Sequence, residues 1–209
     1  MNKCDVTLYA VTDRNCLKGR SLKDAVRASL EGGVTLVQLR EKSMSIDEFI
    51  KEAVEIKKIC HEFSVPLLID DNVEVCLKAD ADGVHLGQND MPCDEARKIL
   101  GDTKIIGVTA KTIEQAKRAE RMGADYLGSG AVFGTSTKAD AVKMDIDTLK
   151  SICASVSIPV AAIGGINRNN LRELKDSGIK GAAIVSGIFA CDDILAASKE
   201  LRSIMEDIL

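Results

Sequence analysis

Apolar residues along this chain fall into short blocks, separated by longer stretches in which they recur every third or fourth position. The blocks cover residues 6–12, 35–39, 66–69, 83–86, 104–108, 126–128, 159–163 and 182–185. They are mostly apolar and bounded by Gly, Pro or Asp, the pattern of strands covered on both faces. The intervening stretches predict helices near 21–31, 46–60, 72–79, 94–100, 112–122, 145–154, 169–176 and 193–205. In the second of these, Ile46, Phe49, Ile50, Ala53, Val54 and Ile56 share one broad face, and Ser45 with Glu48 forms a capping box at its start. Strand and helix thus alternate eight times, at about 26 residues per unit, which implies a parallel sheet closed into a (β/α)8 TIM barrel. The runs at 31–34, 81–84, 123–126 and 178–181 each deliver a helix end into a strand, a faint repeat of roughly two units. No linker or composition break divides the chain, so residues 1–209 read as a single domain. An open doubly wound sheet is the architectural alternative.

The barrel carries a test of its own. Chemistry belongs on the loops that follow the strands, so polar residues with functional potential should gather just after each apolar block. They do. The second block runs into Gln38-Leu39-Arg40-Glu41-Lys42, where alternation sends Gln38, Arg40 and Lys42 to one side and Leu39 to the other. Two cations and an amide at a barrel mouth form an anion site, with Arg offering bidentate hydrogen bonds and Lys a point charge. The third block ends in Asp70-Asp71-Asn72, and the fourth leads through His85 to Asp90. Asp71 with Glu74 reads as a capping box for the following helix, and Asp90 as a cap for the helix beginning near Pro92. The same carboxylates, opposite Arg40 and Lys42, also suit Mg²⁺, which takes one or two carboxylates and fills its shell with water and phosphate oxygens. His85 reads as a satisfied interior histidine rather than a ligand or base.

Thr109 follows the fifth block, and the sixth leads into the most polar loop, which contains Thr135-Ser136-Thr137-Lys138. The seventh ends in Gly164-Gly165 and the eighth in Val185-Ser186-Gly187. Glycine amides, hydroxyls and one lysine suit a phosphate. Two anion sites emerge, one fit for a metal-bridged diphosphate and the other for a monophosphate. Together they point to a transferase acting on two phosphorylated small molecules.

Composition narrows the classes. The chain has 45% hydrophobic and 29% charged residues, enough apolar material for a core and too much for general disorder. A net charge of −4 with 3% aromatics argues against a nucleic-acid surface. No apolar run reaches the roughly 18 residues a membrane span needs, and the N-terminus has no signal-peptide pattern, so a cytoplasmic location without a membrane partner is expected. Seven scattered cysteines without a CxxC pair predict small buried apolar residues rather than a zinc site or a disulfide framework. A homo-oligomer is compatible with this composition, which sets no oligomeric state.

These elements together are similar to the thiamine-phosphate synthase family over essentially the full length. The matching residues are Gln38-Leu39-Arg40-Glu41-Lys42, Asp71, the run 82–88 with Asp90, Thr135-Ser136-Thr137-Lys138, Ile163-Gly164-Gly165-Ile166 and Val185-Ser186. The resemblance implies a (β/α)8 barrel that joins hydroxymethylpyrimidine diphosphate to thiazole phosphate, giving thiamine phosphate and pyrophosphate with Mg²⁺. It implies that Gln38, Leu39, Arg40, Glu41, Lys42, Asp70, Thr109 and Lys138 form the pyrimidine diphosphate site, with Arg40, Lys42 and Lys138 as the catalytic cations. Asp71 and Asp90 would hold Mg²⁺, and Thr135, Ser136, Thr137, Gly165, Val185 and Ser186 the thiazole phosphate. The chain departs from the family where Asp70-Asp71-Asn72 replaces Asn-Asp-Arg, and Thr109 replaces a more usual Ser. The rivals are a thiazole tautomerase on the same barrel, which needs a proton-transferring residue where this chain has Thr109-Ala110-Lys111, and a non-catalytic phosphate-binding module.

Overall fold

The computed structural model describes residues 4–134 and 143–209. Among them, eight strands close into a parallel barrel in chain order, with the last strand beside the first. The strands are β1 (Leu8–Val11), β2 (Leu36–Leu39), β3 (Leu67–Asp70), β4 (Gly83–Leu86), β5 (Ile105–Thr109), β6 (Tyr126–Gly130), β7 (Val160–Ile163) and β8 (Gly181–Ile184). Around them lie α1 (Leu22–Glu31), α2 (Ile46–Glu62), α3 (Val73–Lys78), α4 (Cys93–Leu100), α5 (Ile113–Arg121), α6 (Ile146–Ser155), α7 (Ser186–Phe189) and α8 (Ile194–Ile208).

Strand alternation divides the core in two. One set of side chains, including Leu8, Val37, Leu39, Ile69, Val84, Ile106 and Leu127, packs outward against the helices. The other, including Tyr9, Val11, Leu36, Leu68, Ile105, Tyr126 and Ala183, fills the barrel itself. The helices start where the sequence supplies caps. Ser45 and Glu48 exchange hydrogen bonds at α2 as a reciprocal capping box, and Asp145 and Asp193 accept from Thr148 and Ala196 amides at α6 and α8. The seven cysteines are free thiols. Burial pushes Cys4 and Cys60 up to about 12 and Cys76, Cys93 and Cys153 up to about 11, so these five stay protonated at neutral pH.

One expected helix is corrected. Residues 169–176 supply only a 3₁₀ turn at Leu171–Leu174, because asparagines upstream bond to backbone in place of helical partners. Asn170 Oδ1 accepts the Asn167 amide at 2.9 Å, Asn167 Oδ1 accepts the Asn169 amide at 3.0 Å, and both side chains donate back to the Gly165 carbonyl. Those bonds tie the turn to the loop after β7.

Candidate active site

The strand ends place Arg40, Lys42, Asp70 and Asp71 at one corner of the barrel mouth. Arg40 lies just past β2, 3.6 Å from Asp13 and 3.7 Å from Asp70, and its backbone amide donates to Thr12 Oγ1 at 3.0 Å. Lys42 Nζ lies 2.8 Å from Asp70 Oδ2 and also pairs with Asp71. Among the described residues, Arg40 Nε and Asp70 Oδ2 are buried without an aligned hydrogen bond. A buried guanidinium N–H with no acceptor is costly unless a ligand supplies one. Burial pulls the Lys42 ammonium down, but the two aspartates outweigh it and hold its pKa above the ordinary value.

Asp71 has the opposite balance. Its partial burial, with the charges of Asp70 and Asp90 close by, pushes its carboxyl above the usual range despite the pull of Lys42. Its backbone is left-handed, at φ 55°, and its amide donates to the His85 carbonyl on the neighbouring strand at 2.9 Å. The expected capping box of Asp71 with Glu74 is not formed. Asn72 is the N-cap of α3 instead, its Oδ1 accepting from the Val75 amide at 2.9 Å, which leaves the Asp71 carboxylate at the mouth. Asp90 is likewise no helix cap. Pro92 occupies that position at α4 without a side-chain bond, and Asp90 Oδ2 accepts the Gly87 amide at 2.6 Å.

These carboxylates fit a hard divalent cation. Asp71 and Asp90 come from adjacent loops, feel each other's charge, and repel in a way such an ion would relieve. No cluster of three or more His, Cys, Asp or Glu with ligand geometry occurs among the described residues. Two carboxylates would leave most of such an ion's shell to water and phosphate oxygens.

Two residues of the second-strand motif have other surroundings. Leu39 points outward and is fully buried beneath the helices, so it offers the mouth only its backbone. Glu41 is taken by Arg14 at 2.8 Å, and Arg14 also pairs with Glu52 on α2. That ion triplet anchors the loop that carries Arg40 and Lys42.

Gln38 and Thr109 end a hydrogen-bonded chain through the barrel interior. Gln38 Nε2 donates to the Tyr9 hydroxyl, which lies 2.8 Å from the Tyr126 hydroxyl. Tyr126 reaches His85 Nδ1 at 2.8 Å, and His85 Nε2 lies 3.0 Å from Thr109 Oγ1. Tyr9, Tyr126 and Asp13 were not singled out by the sequence reading. The signal for Asp13 was present, since it follows the first strand as the other site residues follow theirs.

Across the mouth, Gly164 and Gly165 turn the chain after β7 at φ 104° and 67°. A Cβ on Gly165 would lie 2.0 Å from the Gly134 carbonyl, so the β6 and β7 loops meet at a distance no side chain permits. Val185 and Ser186 follow β8, with Ser186 opening α7. Thr135, Ser136, Thr137 and Lys138 lie outside the described residues.

Comparison with known proteins gives a consistent result. The model of the family described as thiamine monophosphate synthase matches residues 8–188. A thiamine-phosphate synthase of Clostridium tetani is 49% identical over 203 residues, covering 97% of each chain, and one of Ruminiclostridium cellulolyticum is 47% identical over the same span. A solved thiamine phosphate pyrophosphorylase from Pyrococcus furiosus superposes with a TM-score of 0.91 at 40% identity, covering 99% of this chain and 98% of that one.

Proposed function

This chain belongs to the thiamine monophosphate synthase family, and we propose that it joins hydroxymethylpyrimidine diphosphate to hydroxyethylthiazole phosphate, giving thiamine phosphate and pyrophosphate in a Mg²⁺-dependent substitution. The C–O bond to the diphosphate breaks with its electron pair leaving on the phosphate oxygen, and the amino-substituted ring shares the positive charge on the methylene carbon. The thiazole nitrogen then forms the new C–N bond. No proton transfer to a protein base is needed, in keeping with a mouth whose charged groups are paired cations and carboxylates.

Arg40 and Lys42 would neutralise the charge growing on the leaving diphosphate, and Lys138 would join them. Stabilisation of this kind is worth several kcal/mol when the groups are held in place beforehand. Asp13 and Asp70 hold Arg40, and Asp70 and Asp71 hold Lys42, before any ligand arrives. Mg²⁺ on Asp71 and Asp90 would supply further charge for the same oxygens. Gln38, Asp70 and Thr109 would face the pyrimidine, while Leu39 and Glu41 support the loop. Thr135, Ser136, Thr137, Gly165, Val185 and Ser186 would hold the thiazole phosphate.

The observation that carries this reading is the buried Arg40 Nε, which makes no aligned hydrogen bond at a mouth corner that also holds Lys42 and three aspartates. The test mixes both substrates with Mg²⁺ and measures pyrophosphate and thiamine phosphate in equal amounts, with each component omitted in turn. Absence of pyrophosphate from the complete mixture would overturn it, and isomerised thiazole carboxylate in its place would identify the tautomerase.

A further inference from the structure

The chain Gln38–Tyr9–Tyr126–His85–Thr109 joins five strands through the barrel interior. Both tyrosines are fully buried, at 1% and 0% exposure, and their rings meet edge-on at 5.8 Å. The barrel is shaped around them. A Cβ on Gly107 of β5 would lie 2.1 Å from Tyr126 Cζ, so that strand position is vacated for the ring.

Counting protons gives the chain a direction. A phenol has one proton to donate, and a neutral imidazole carries one N–H. The Gln38 amide NH₂ already donates to Tyr9, so the Tyr9 proton goes to Tyr126 and the Tyr126 proton to His85 Nδ1. A neutral imidazole that accepts at Nδ1 carries its proton on Nε2, the nitrogen facing Thr109 Oγ1. Burial pushes both phenols far above their ordinary pKa, so neither gives up its proton at neutral pH. The ends of the chain are thereby polarised. That count leaves Gln38 with a carbonyl oxygen to accept with and Thr109 with a hydroxyl proton to donate.

We propose that Tyr9, Tyr126 and His85 are positioning residues that hold Gln38 as acceptor and Thr109 as donor, selecting an amino-substituted ring that offers an N–H to the one and a bare ring nitrogen to the other. The inference rests on the function proposed above and adds a specificity device to it. An oxo ring, with a carbonyl beside a ring N–H, offers the inverse pattern and leaves buried polar groups mismatched at both ends.

The test uses the full chain with Tyr9→Phe, Tyr126→Phe and both together. Each single change should raise KM for the aminopyrimidine diphosphate about tenfold or more, with KM for the thiazole phosphate within about twofold. Preference for the amino ring over its oxo analogue, measured as competitive inhibition, should shrink by about the same factor. The double variant should be no worse than about twice the weaker single, because either change severs the same chain. Unchanged preference, effects that multiply, or equal losses for both substrates tracking a lower Tm would each overturn the proposal.

Nitrogen NMR of the wild-type protein gives a readout independent of turnover. The chain has two histidines, and His61 lies at the opposite rim beside Asp82, so His85 is assignable. An Nε2-protonated neutral tautomer is expected, losing its bias in Tyr126→Phe. An Nδ1-protonated ring in the wild type would overturn the inference. A wild-type protein that releases no pyrophosphate refutes the proposed function instead, and the NMR result still judges the chain.

Discussion

The two rims of the barrel are built from the same residue types to opposite ends. At the N-terminal rim, Arg97 uses its guanidinium fully, donating to the carbonyls of Gly101, Lys104 and Gly123 and to Asp125 Oδ2 at 2.6 Å. Asp125 also accepts the Ile106 amide at the foot of β5, and Asp82 accepts the Leu67 amide at the foot of β3. At the C-terminal rim, Arg40 sits at 3.6 Å and 3.7 Å from its carboxylates with Nε unmatched. The first arrangement locks strands in register. The second keeps its cations among carboxylates with an N–H unmatched, which the proposed diphosphate would complete, in the manner of sites that give up stability for function.

The sharpest way to break this contrast is at the functional rim. Arg40→Ala or Lys42→Ala should lower kcat/KM for pyrophosphate release by on the order of 10²–10³, with Tm unchanged or slightly higher, by steady-state assay and calorimetry. A marked fall in Tm would make Arg40 another Arg97. The next largest effect belongs to the opposite rim. Arg97→Ala takes the guanidinium away from Asp125 and three carbonyls and should cost about 3 kcal/mol, roughly 6–12 °C in Tm, with kcat of the folded protein retained.

Acid titration sharpens the comparison, because the rims respond with opposite sign. Asp71 has a raised pKa, so its proton is bound more tightly in the folded state. Its contribution to ligand-free stability is full at pH values below the unfolded pKa and is lost as pH rises through the folded one. Asp71→Asn should therefore leave the ligand-free Tm at neutral pH equal or higher, and Mg²⁺ with pyrophosphate should raise the Tm of the wild type but not of this variant. For the wild type, Mg²⁺ should begin to dissociate on acidification above the ordinary carboxylate range, measured by calorimetric titration at stepped pH. Asp80, held down to about 2 by hydrogen bonds from Lys104 and Lys57, behaves inversely. Its stabilisation is present above the unfolded pKa and lost as pH falls through about 2. Because Asp80 is exposed, Asp80→Asn should lower Tm at neutral pH by only about 1–2 °C, an effect that shrinks as the pH falls through about 2.

Much of the architecture was legible as periodicity. The block at 83–86 matches β4 residue for residue, and the alternation that sent Gln38 inward and Leu39 outward holds in the structure. The failures lie where polar side chains bond to nearby backbone. Residues 169–176 looked helical by apolar spacing, yet four asparagine contacts decide that segment. At α3 the expected Asp71 cap gives way to Asn72, with the Asp71 backbone in the left-handed region. Tyr9 and Tyr126 were hidden for a different reason. In a strand they read as apolar filler, and their hydroxyls gain meaning only when strands far apart in sequence meet inside the barrel.

The seam between Leu8–Val11 and Gly181–Ile184 has a consequence for biosynthesis. Until the eighth strand leaves the ribosome, the nascent sheet carries two raw borders able to stitch onto any neighbouring extended polypeptide. Completion of the ring removes both borders in a single late event. Synthesis of this protein therefore has a vulnerable interval that spans nearly its whole translation, and a chaperone that shields sheet borders would act then rather than after release.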